Sequence, residues 1–196
     1  MTPDPHAALV SQRIRESVAV KEKLLRDEDC LVTLRKVASI MTGALTAGNK
    51  ILFMGNGGSA ADAQHLAAEF TGRYMRERPA LAAMALNVNT SSLTAIGNDY
   101  SFDAVFARQI EALGRSGDVA IGLSTSGTSP NILRGMEVAR SLGLVTVGLT
   151  GESGGRLKDV VEYCLCVPSS QTPRIQECHI LLGHILCEIV EDDFTS

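Results

Sequence analysis

The sequence has no tryptophan and only five phenylalanines and three tyrosines among its 196 residues, so the core must be built mainly from Ala, Leu, Ile and Val. Neither sign of charge dominates: the formal net charge is −4, and a strongly basic surface for nucleic acid is not indicated. Hydrophobic residues make up 45% and charged residues 20%, which is typical of a globular chain rather than a disordered one.

Long apolar runs and paired cysteine motifs are also missing. No apolar run approaches the ~18 residues of a membrane span, and the segment MTPDPHAALVSQRIRE lacks the pattern of a secretory signal. Five cysteines without a CxxC pair or zinc-finger spacing suit a reducing cytoplasm and mostly buried thiols. These cysteines are Cys30, Cys164, Cys166, Cys178 and Cys187.

The hydrophobic pattern predicts a single domain over residues 1–196, with N-terminal helices in 1–48 and an α/β core in 49–196. Continuous apolar runs predict five strands buried on both faces, at Ile51–Met54, Leu81–Leu86, Val119–Leu123, Val145–Leu149 and Tyr163–Val167. Amphipathic stretches predict helices at about 30–47, 59–73, 102–113, 130–142 and 173–192. This alternation predicts a parallel sheet with helices on both sides.

A glycine-rich loop, GNGGS, follows the first predicted strand and opens the next helix. Glycines let a backbone approach a ligand closely, and the free N–H groups at a helix start attract anions. The spacing matches neither GxGxxG nor GxxxxGK[ST], so it is weak support for a nucleotide site. Residues 55–59 alone fit a ligand-binding loop and a tight strand-to-helix turn equally well.

A second loop, STSGTS at residues 124–129, places five hydroxyls around one glycine ahead of Pro130. A phosphate needs many hydrogen-bond donors and a positive helix end, and this loop supplies both. A hydroxyl-rich turn with Ser129 as the helix N-cap would explain Ser129 but not the density of the others. The loop therefore favours phosphate binding, and its lack of lysine favours a simple phosphomonoester over triphosphate transfer.

A third segment, IGND at Ile96–Asp99, is predicted to be a loop. Asn98 and Asp99 are common turn formers, so taken alone they indicate a turn. All three loops are expected to follow strand ends, which is where ligands bind in open α/β sheets.

Titratable side chains recur on two predicted helices. His65 and Glu69 lie four residues apart and share one helix face, which suits a metal site, an acid–base pair or an ordinary exposed pair. Gln176, His179 and His184 lie on the last helix, where Gln176 and His184 are separated by ~12 Å along the axis. Taken alone, His184 in its apolar surroundings is more typical of a core histidine.

Four segments together resemble the sugar isomerase (SIS) domain family, and within it the members that isomerise heptose phosphates: GNGGSAADAQHLAAEFTGRY, TAIGNDY, STSGTSPN and RIQECHILLGHIL. The resemblance covers nearly the whole chain. It implies one SIS domain with a five-stranded parallel sheet in three α/β/α layers. It also implies a homotetramer that uses the N-terminal helices and forms active sites at subunit interfaces. The sequence departs from the family at Pro173, where several relatives carry a polar or acidic residue.

The resemblance implies conversion of sedoheptulose 7-phosphate to D-glycero-D-manno-heptose 7-phosphate through an enediol, the first step toward the activated heptose of the lipopolysaccharide core. Glu69 would be the catalytic base and His184 the second acid–base group. The substrate would be bound by Asn56, Gly57, Gly58, Ser59, Glu69, Asn98, Asp99, Ser124, Thr125, Ser126, Ser129 and Gln176. One zinc ion per subunit would be held by His65, Glu69, Gln176 and His184.

Two other functions compete with this one. A non-catalytic SIS-domain tetramer that binds the bacterial replication initiator protein would be an interaction protein. By the resemblance, such a protein lacks the acid and base that Glu69 and His184 supply here. A sugar-phosphate-sensing module usually carries a DNA-binding domain, for which no segment is expected. The sequence therefore favours a cytoplasmic isomerase with a sugar-phosphate substrate and no nucleic-acid or membrane partner.

Overall fold

The computed structural model describes residues 6–195. Residues 1–5 and 196 of the predicted domain lie outside the described residues, and so does the start of the segment in which no secretory signal is expected. The α-helices of the described part are α1 (Ala7–Leu25), α2 (Glu28–Thr46), α3 (Gly58–Thr71), α4 (Thr90–Asp99), α5 (Val105–Leu113), α6 (Pro130–Ser141), α7 (Leu157–Val160) and α8 (Thr172–Asp193).

Five strands form one parallel sheet, as the sequence predicts. They are β1 (Ile51–Gly55), β2 (Ala83–Ala85), β3 (Val119–Leu123), β4 (Val145–Thr150) and β5 (Tyr163–Cys166). Their order across the sheet is β2-β1-β3-β4-β5. The chain runs from β1 to one side and then returns to the other, so the carboxyl ends of β1 and β3 lie at a topological switch point. Crevices of this kind bind ligands in open α/β sheets.

Helices cover both faces of the sheet, which explains why its strands are apolar throughout. Ile51 and Phe53 of β1 face a core shared with α2, α3 and α8. Leu52 and Met54 face the opposite core, which α5 and α6 complete. The three-layer architecture predicted from the sequence is therefore confirmed. Helix α2 shares a core with the sheet and so packs as part of this architecture. The predicted division of the domain into N-terminal helices, 1–48, and an α/β core, 49–196, stays a prediction.

The prediction for Ile96–Asp99 is wrong. These residues form the C-terminal end of α4 rather than a loop after a strand, since β2 ends at Ala85. Asn89 caps and stabilises the start of this helix: the Asn89 Oδ1 accepts a hydrogen bond from the Ser92 N–H at 3.0 Å. The predicted strand Leu81–Leu86 shortens to an edge strand of three residues.

Across residues 6–195, no helix combines the length and the apolar character needed to cross a bilayer.

Candidate active site

The glycine loop and the hydroxyl loop begin side by side. Gly55 and Leu123, the last residues of β1 and β3, are paired in the sheet. Asn56 then donates to the Asn131 Oδ1 at 2.8 Å, and Asn131 donates to the Asn56 Oδ1 at 2.9 Å. The two loops are thus joined by a reciprocal amide pair. Sequence reasoning missed Asn131. The available signal was its position in the first turn of α6, directly after the hydroxyl loop.

Gln176 of α8 lies over the start of α3. A Cβ atom built on Gly58 would approach the Gln176 Nε2 to 2.5 Å, so a side chain at this position would displace the amide from its place over the loop. Gly57 precedes it with a φ of 56°, a conformation that glycine adopts readily. The glycine loop therefore admits a side chain of α8, and Ser59 is buried in the first turn of α3.

The hydroxyl loop is held in a compact turn. The hydroxyls of Ser124 and Ser129 lie 3.0 Å apart, and the Ser126 Oγ accepts hydrogen bonds from the Thr128 N–H and hydroxyl at 3.2 and 3.0 Å. Ser129 occupies the N-cap position of α6, but its side chain makes no capping bond. The position of Ser129 before Pro130 favours a capping hydroxyl, but the Ser129 hydroxyl lies against that of Ser124 and does not cap α6. Gly127, with a φ of 65°, lets the loop pass close to the carbonyl of Gly154.

A cavity of about 200 Å³ lies beside this loop. Its lining includes the predicted Thr125 and Ser126 together with Ser153, Ser169 and Ser170, which sequence reasoning missed. These three serines follow β4 and β5, and Thr125 and Ser126 follow β3, so hydroxyl-bearing residues from three strand ends line one cavity. The exposed Glu152 also lines the cavity and adds a negative charge at its edge.

Two histidines and a carboxylate converge where α3 packs against α8. The His65 Nε2 lies 2.9 Å from the Glu69 Oε1 and 3.4 Å from the His184 Nε2. One ligand atom of each residue lies within 4.8 Å of the other two. The predicted His65, Glu69 and His184 are therefore brought together. A carboxylate beside two imidazoles can transfer protons or hold a cation.

His184 is half-buried in this cluster rather than in the apolar core. Its ring stacks on Tyr74, with centroids 5.3 Å apart and planes inclined by 27°. Burial lowers the pKa of the His184 imidazole, the neighbouring His65 lowers it further, and Glu69 offsets part of the shift. The neutral form, which offers a nitrogen lone pair, is favoured. The core histidine is His179, which is fully buried with its Nε2 3.2 Å from the Thr150 carbonyl.

The remaining predicted residues lie apart from the histidine cluster. Gln176 is two helical turns before His184 and lies against Gly58. Asn98 and Asp99 are exposed at the end of α4, where the Asn98 Nδ2 donates to the Asp99 Oδ1 at 2.9 Å. Within residues 6–195, no hydrogen bond joins this pair to either loop or to the cluster. The substrate-binding roles of these residues stay predictions.

Asp62 is a further acidic residue near the cluster that sequence reasoning missed. It lies one turn before His65 on α3, and burial raises the pKa of its carboxyl while His65 partly opposes that shift. Its Oδ2 is buried without a hydrogen-bond partner among the described residues. The cluster thus has a second carboxyl within one helical turn.

Comparison with known proteins gives consistent matches. Residues 15–151 match the family model described as SIS domain. A phosphoheptose isomerase of Rhodospirillum rubrum is 54% identical over 172 residues, which cover 88% of this chain and 92% of the relative.

Two solved structures match almost the full length. The phosphoheptose isomerase of Neisseria gonorrhoeae has a TM-score of 0.89 and 42% identity, covering 94% of this chain and 98% of its own. That of Francisella tularensis has a TM-score of 0.92 and 34% identity, covering 96% and 100%.

Proposed function

The chain belongs to the SIS domain family, and from this membership and the site geometry we propose that it is a phosphoheptose isomerase. The reaction is an aldose–ketose isomerisation of a phosphorylated heptose. We take the substrate pair to be sedoheptulose 7-phosphate and D-glycero-D-manno-heptose 7-phosphate. The observation that carries this proposal is the convergence of Glu69 and His184, two proton-transfer groups contributed by different helices.

The residue types suit the steps of such a reaction. The Glu69 carboxylate accepts the proton from the carbon next to the carbonyl, and the electron pair of that C–H bond forms the enediol double bond. His184 exchanges protons with the two sugar oxygens. Return of the proton to the neighbouring carbon gives the isomeric sugar. Atoms and electrons balance within the substrate, so the scheme needs no external oxidant or reductant.

Zinc fits the cluster as a cofactor. Two imidazole nitrogens and a carboxylate oxygen are ligands that zinc prefers, and burial favours the neutral, coordinating form of His184. His65, Glu69 and His184 would hold the ion. Gln176 is proposed as a fourth ligand, for which its amide would have to turn from Gly58 toward His184. When bound, zinc would supply Lewis-acid stabilisation of charge on the sugar oxygens.

The hydroxyl loop is proposed as the phosphate anchor. Ser124, Thr125, Ser126 and Ser129 surround the N-terminus of α6, where unpaired backbone N–H groups and the helix dipole favour an anion. The neighbouring cavity brings the hydroxyls of Ser153, Ser169 and Ser170 to the same place. Ser59 is proposed to help the hydroxyl loop hold the phosphate. Asn56, Gly57 and Gly58 are proposed to line the sugar, with Asn98 and Asp99 as further contacts.

A homotetramer with active sites at subunit interfaces is proposed as the working assembly. The support within this chain is α1, where the exposed apolar residues Val10, Ile14 and Val18 recur every four residues on one helix face. An apolar stripe of this kind is typical of a helix that packs against another subunit. His65 is also exposed, which suits a site completed at an interface.

We place the enzyme in the cytoplasm, at the first step of activated-heptose synthesis for the lipopolysaccharide core. The five cysteines are free, and Cys30, Cys178 and Cys187 are buried as thiols, which suits a reducing compartment. The alternative of a non-catalytic tetramer that binds the replication initiator protein is not favoured, because both Glu69 and His184 are present and close together.

The test is turnover of sedoheptulose 7-phosphate by the purified protein, first stripped of metal and then restored with zinc. Turnover that depends on zinc supports both the isomerase and the metal site. Turnover that survives verified metal removal supports the isomerase and shows that the reaction does not require zinc. No turnover in either state by a folded protein would overturn the proposed substrate.

A further inference from the structure

The C-terminal end of α3 carries the proposed base, and its last carbonyl groups have no partners within the helix. Glu69 lies in this last turn, which has no basic side chain of its own. Arg78, from the irregular segment between α3 and β2, returns to this end. Its Nη2 donates to the Glu69 carbonyl at 2.7 Å. Its Nη1 donates to the carbonyls of Phe70 and Gly72 at 2.9 and 3.3 Å. One guanidinium therefore fixes the backbone of the base.

The positive charge of Arg78 is balanced in the interior by Glu191 of α8. The Arg78 Nε lies 3.3 Å from the Glu191 Oε1, and the two side chains are only 1% and 2% exposed. A buried charge that loses its partner is strongly destabilising, so each member depends on the other. Arg78 is also the one buried residue in the stretch 71–80.

Glu191 binds the backbone of the same segment. Its Oε1 accepts the Tyr74 N–H at 2.8 Å, and its Oε2 accepts the N–H groups of Met75 and Arg76 at 2.7 and 2.8 Å. Burial alone would raise the pKa of the Glu191 carboxyl, but these three donors and Arg78 together lower it below its ordinary value. The carboxylate therefore stays ionised at neutral pH and ties residues 74–76 to α8.

Tyr74 connects this anchor to the second proton-transfer group. Its ring stacks on the His184 imidazole with centroids 5.3 Å apart. His184 lies two helical turns before Glu191, so both side chains lie on the same side of α8. The backbone that Glu191 binds is thus the backbone that presents the Tyr74 ring to His184.

We infer that Arg78 and Glu191 form a buried positioning pair, in which Arg78 fixes the helix end that carries Glu69 and Glu191 fixes the backbone that holds Tyr74 against His184. The inference deepens the proposed function and rests on it for the roles of Glu69 and His184. Neither member of the pair is placed in contact with substrate. The pair acts by setting the geometry of two groups that come from different helices.

A neighbouring ion pair supplies a matched control. Arg76 Nη1 lies 2.8 Å from Asp192 Oδ1, so this pair joins the same segment to the same helix, but its side chains are 59% and 50% exposed. Exposed pairs contribute little to stability or geometry. A change at Asp192 therefore removes an ion pair between the same segment and α8 without leaving a buried charge unpaired.

The experiment compares the full-length variants Glu191→Gln, Arg78→Lys and Asp192→Asn with the unchanged protein. It measures kcat and KM, Zn²⁺ affinity by competition with a chromophoric chelator, and the ring resonances of His184 in the metal-free protein. With four histidines in the chain, those resonances can be assigned from single His→Gln variants.

We expect Glu191→Gln to lower kcat and Zn²⁺ affinity by about 10- to 100-fold, as removal of groups that orient ligands does. KM should change little, and the His184 resonances should move because the Tyr74 ring is no longer held in place. Arg78→Lys keeps the charge but not the fork of donors, so it should lower kcat as well. Asp192→Asn should leave all three readouts unchanged.

A folded Glu191→Gln protein with unchanged kcat, Zn²⁺ affinity and His184 resonances would overturn the inference and reduce the pair to a structural role. If Glu191→Gln does not fold, Arg78→Lys decides by the same readouts. If the unchanged protein has no turnover, the proposed function fails, but the His184 resonances still test whether the pair positions that ring.

Discussion

Asn56 and Asn131 exchange two side-chain hydrogen bonds, of 2.8 and 2.9 Å, although 75 positions separate them in the sequence. Asn56 follows β1, and Asn131 follows the hydroxyl loop and is almost fully buried. Asn131 also accepts a hydrogen bond from the Ile132 N–H at 3.0 Å. This amide pair joins the proposed sugar-binding loop to the proposed phosphate-binding loop.

Replacement of Asn131 by Ala should therefore raise KM for the heptose phosphate by about fivefold or more, because the lost bonds leave Asn56 unpaired. The same change should lower the free energy of unfolding by about 1–3 kcal/mol. Asp27→Ala is a control of similar cost, since it removes the N-cap bond to the Cys30 N–H at 3.0 Å on the distant α2. Equal KM values for the two variants would contradict the predicted link between the loops.

Glu69→Gln should remove turnover while leaving the fold intact. Loss of a general base lowers kcat by about 10²–10⁴-fold, and the amide keeps the shape of the side chain. Steady-state kinetics and thermal unfolding measure the two effects. Glu111→Gln, at an exposed ion pair on α5, is the control and should leave kcat unchanged. Near-normal turnover by Glu69→Gln would exclude Glu69 as the base.

Ser126→Ala should weaken phosphate binding. The Ser126 hydroxyl is exposed in the hydroxyl loop and also accepts two hydrogen bonds from Thr128, so its loss removes a donor and loosens the turn. A hydrogen bond to a charged group contributes about 1.5–3 kcal/mol, which predicts a rise in KM of at least about tenfold. Inhibition by inorganic phosphate should weaken in parallel. Ser141→Ala, at the far end of α6, should change neither quantity.

His179 predicts a loss of stability in mild acid. Burial lowers the pKa of this imidazole from 6.5 to about 4, although its contact with the Thr150 carbonyl offsets part of the shift. A lowered folded-state pKa means that the unfolded chain binds the proton first. The contribution of neutral His179 to the free energy of unfolding is therefore complete above pH 6.5 and is lost as the pH falls toward 4.

The predicted loss from this one group is about 3 kcal/mol, and urea unfolding at several pH values measures it. His179→Gln can keep an N–H donor for Thr150 but cannot titrate, so its stability should change less over the same interval. Parallel pH profiles for the two proteins would show that His179 is not the cause.

Cys164 and Cys166 lie on one side of β5 with their Sγ atoms 3.7 Å apart. Donation from the Cys164 thiol, helped by Lys158 and opposed by burial, lowers the pKa of Cys166 to about 7. Because the thiolate is the nucleophile, alkylation of Cys166 by iodoacetamide should accelerate as the pH rises through about 7.

Burial raises the pKa of Cys30 to about 11 and that of Cys187 to about 12, so these thiols should react more slowly than Cys166. Mass spectrometry of partly alkylated protein identifies the order. In Cys164→Ala the inflection should move to higher pH, because the donor to the Cys166 thiolate is gone. An inflection that stays near pH 7 in this variant would point to Lys158 alone.

The sheet was predictable because strands buried on both faces leave continuous apolar runs, such as residues 51–54 and 119–123. Helix α4 was not, because its sequence TSSLTAIGND is small and polar and buries no residue fully. Its one clear local signal is Asn89, whose capping role depends on the conformation of the following turn. For this reason the sequence predicts a turn, and not a helix end, at Asn98 and Asp99.

The site divides in the same way. The four-residue spacing of His65 and Glu69 places them on one helix face whatever the tertiary structure. The position of His184 depends on how α8 packs against α3. The apolar residues next to His184 in the sequence favour a core histidine, but the core histidine of α8 is His179. Some contacts give no local signal at all, because the partners are distant in sequence. Glu191 and the Tyr74 N–H that it accepts, for example, are 117 positions apart.

Helix α3 sets a distance within the proposed site. Gly58 at its first turn contacts Gln176, and His65 contacts His184, so α3 and α8 run side by side over the ~10 Å between Gly58 and His65. Under the proposed function, a sugar whose phosphate is held by the hydroxyl loop together with Ser59, at the start of α3, must extend along this length to reach Glu69. The enzyme would therefore select its substrates by chain length, because the rigid helix fixes the distance between the phosphate and the proton-transfer groups. Phosphorylated sugars several carbons shorter would bind without reacting.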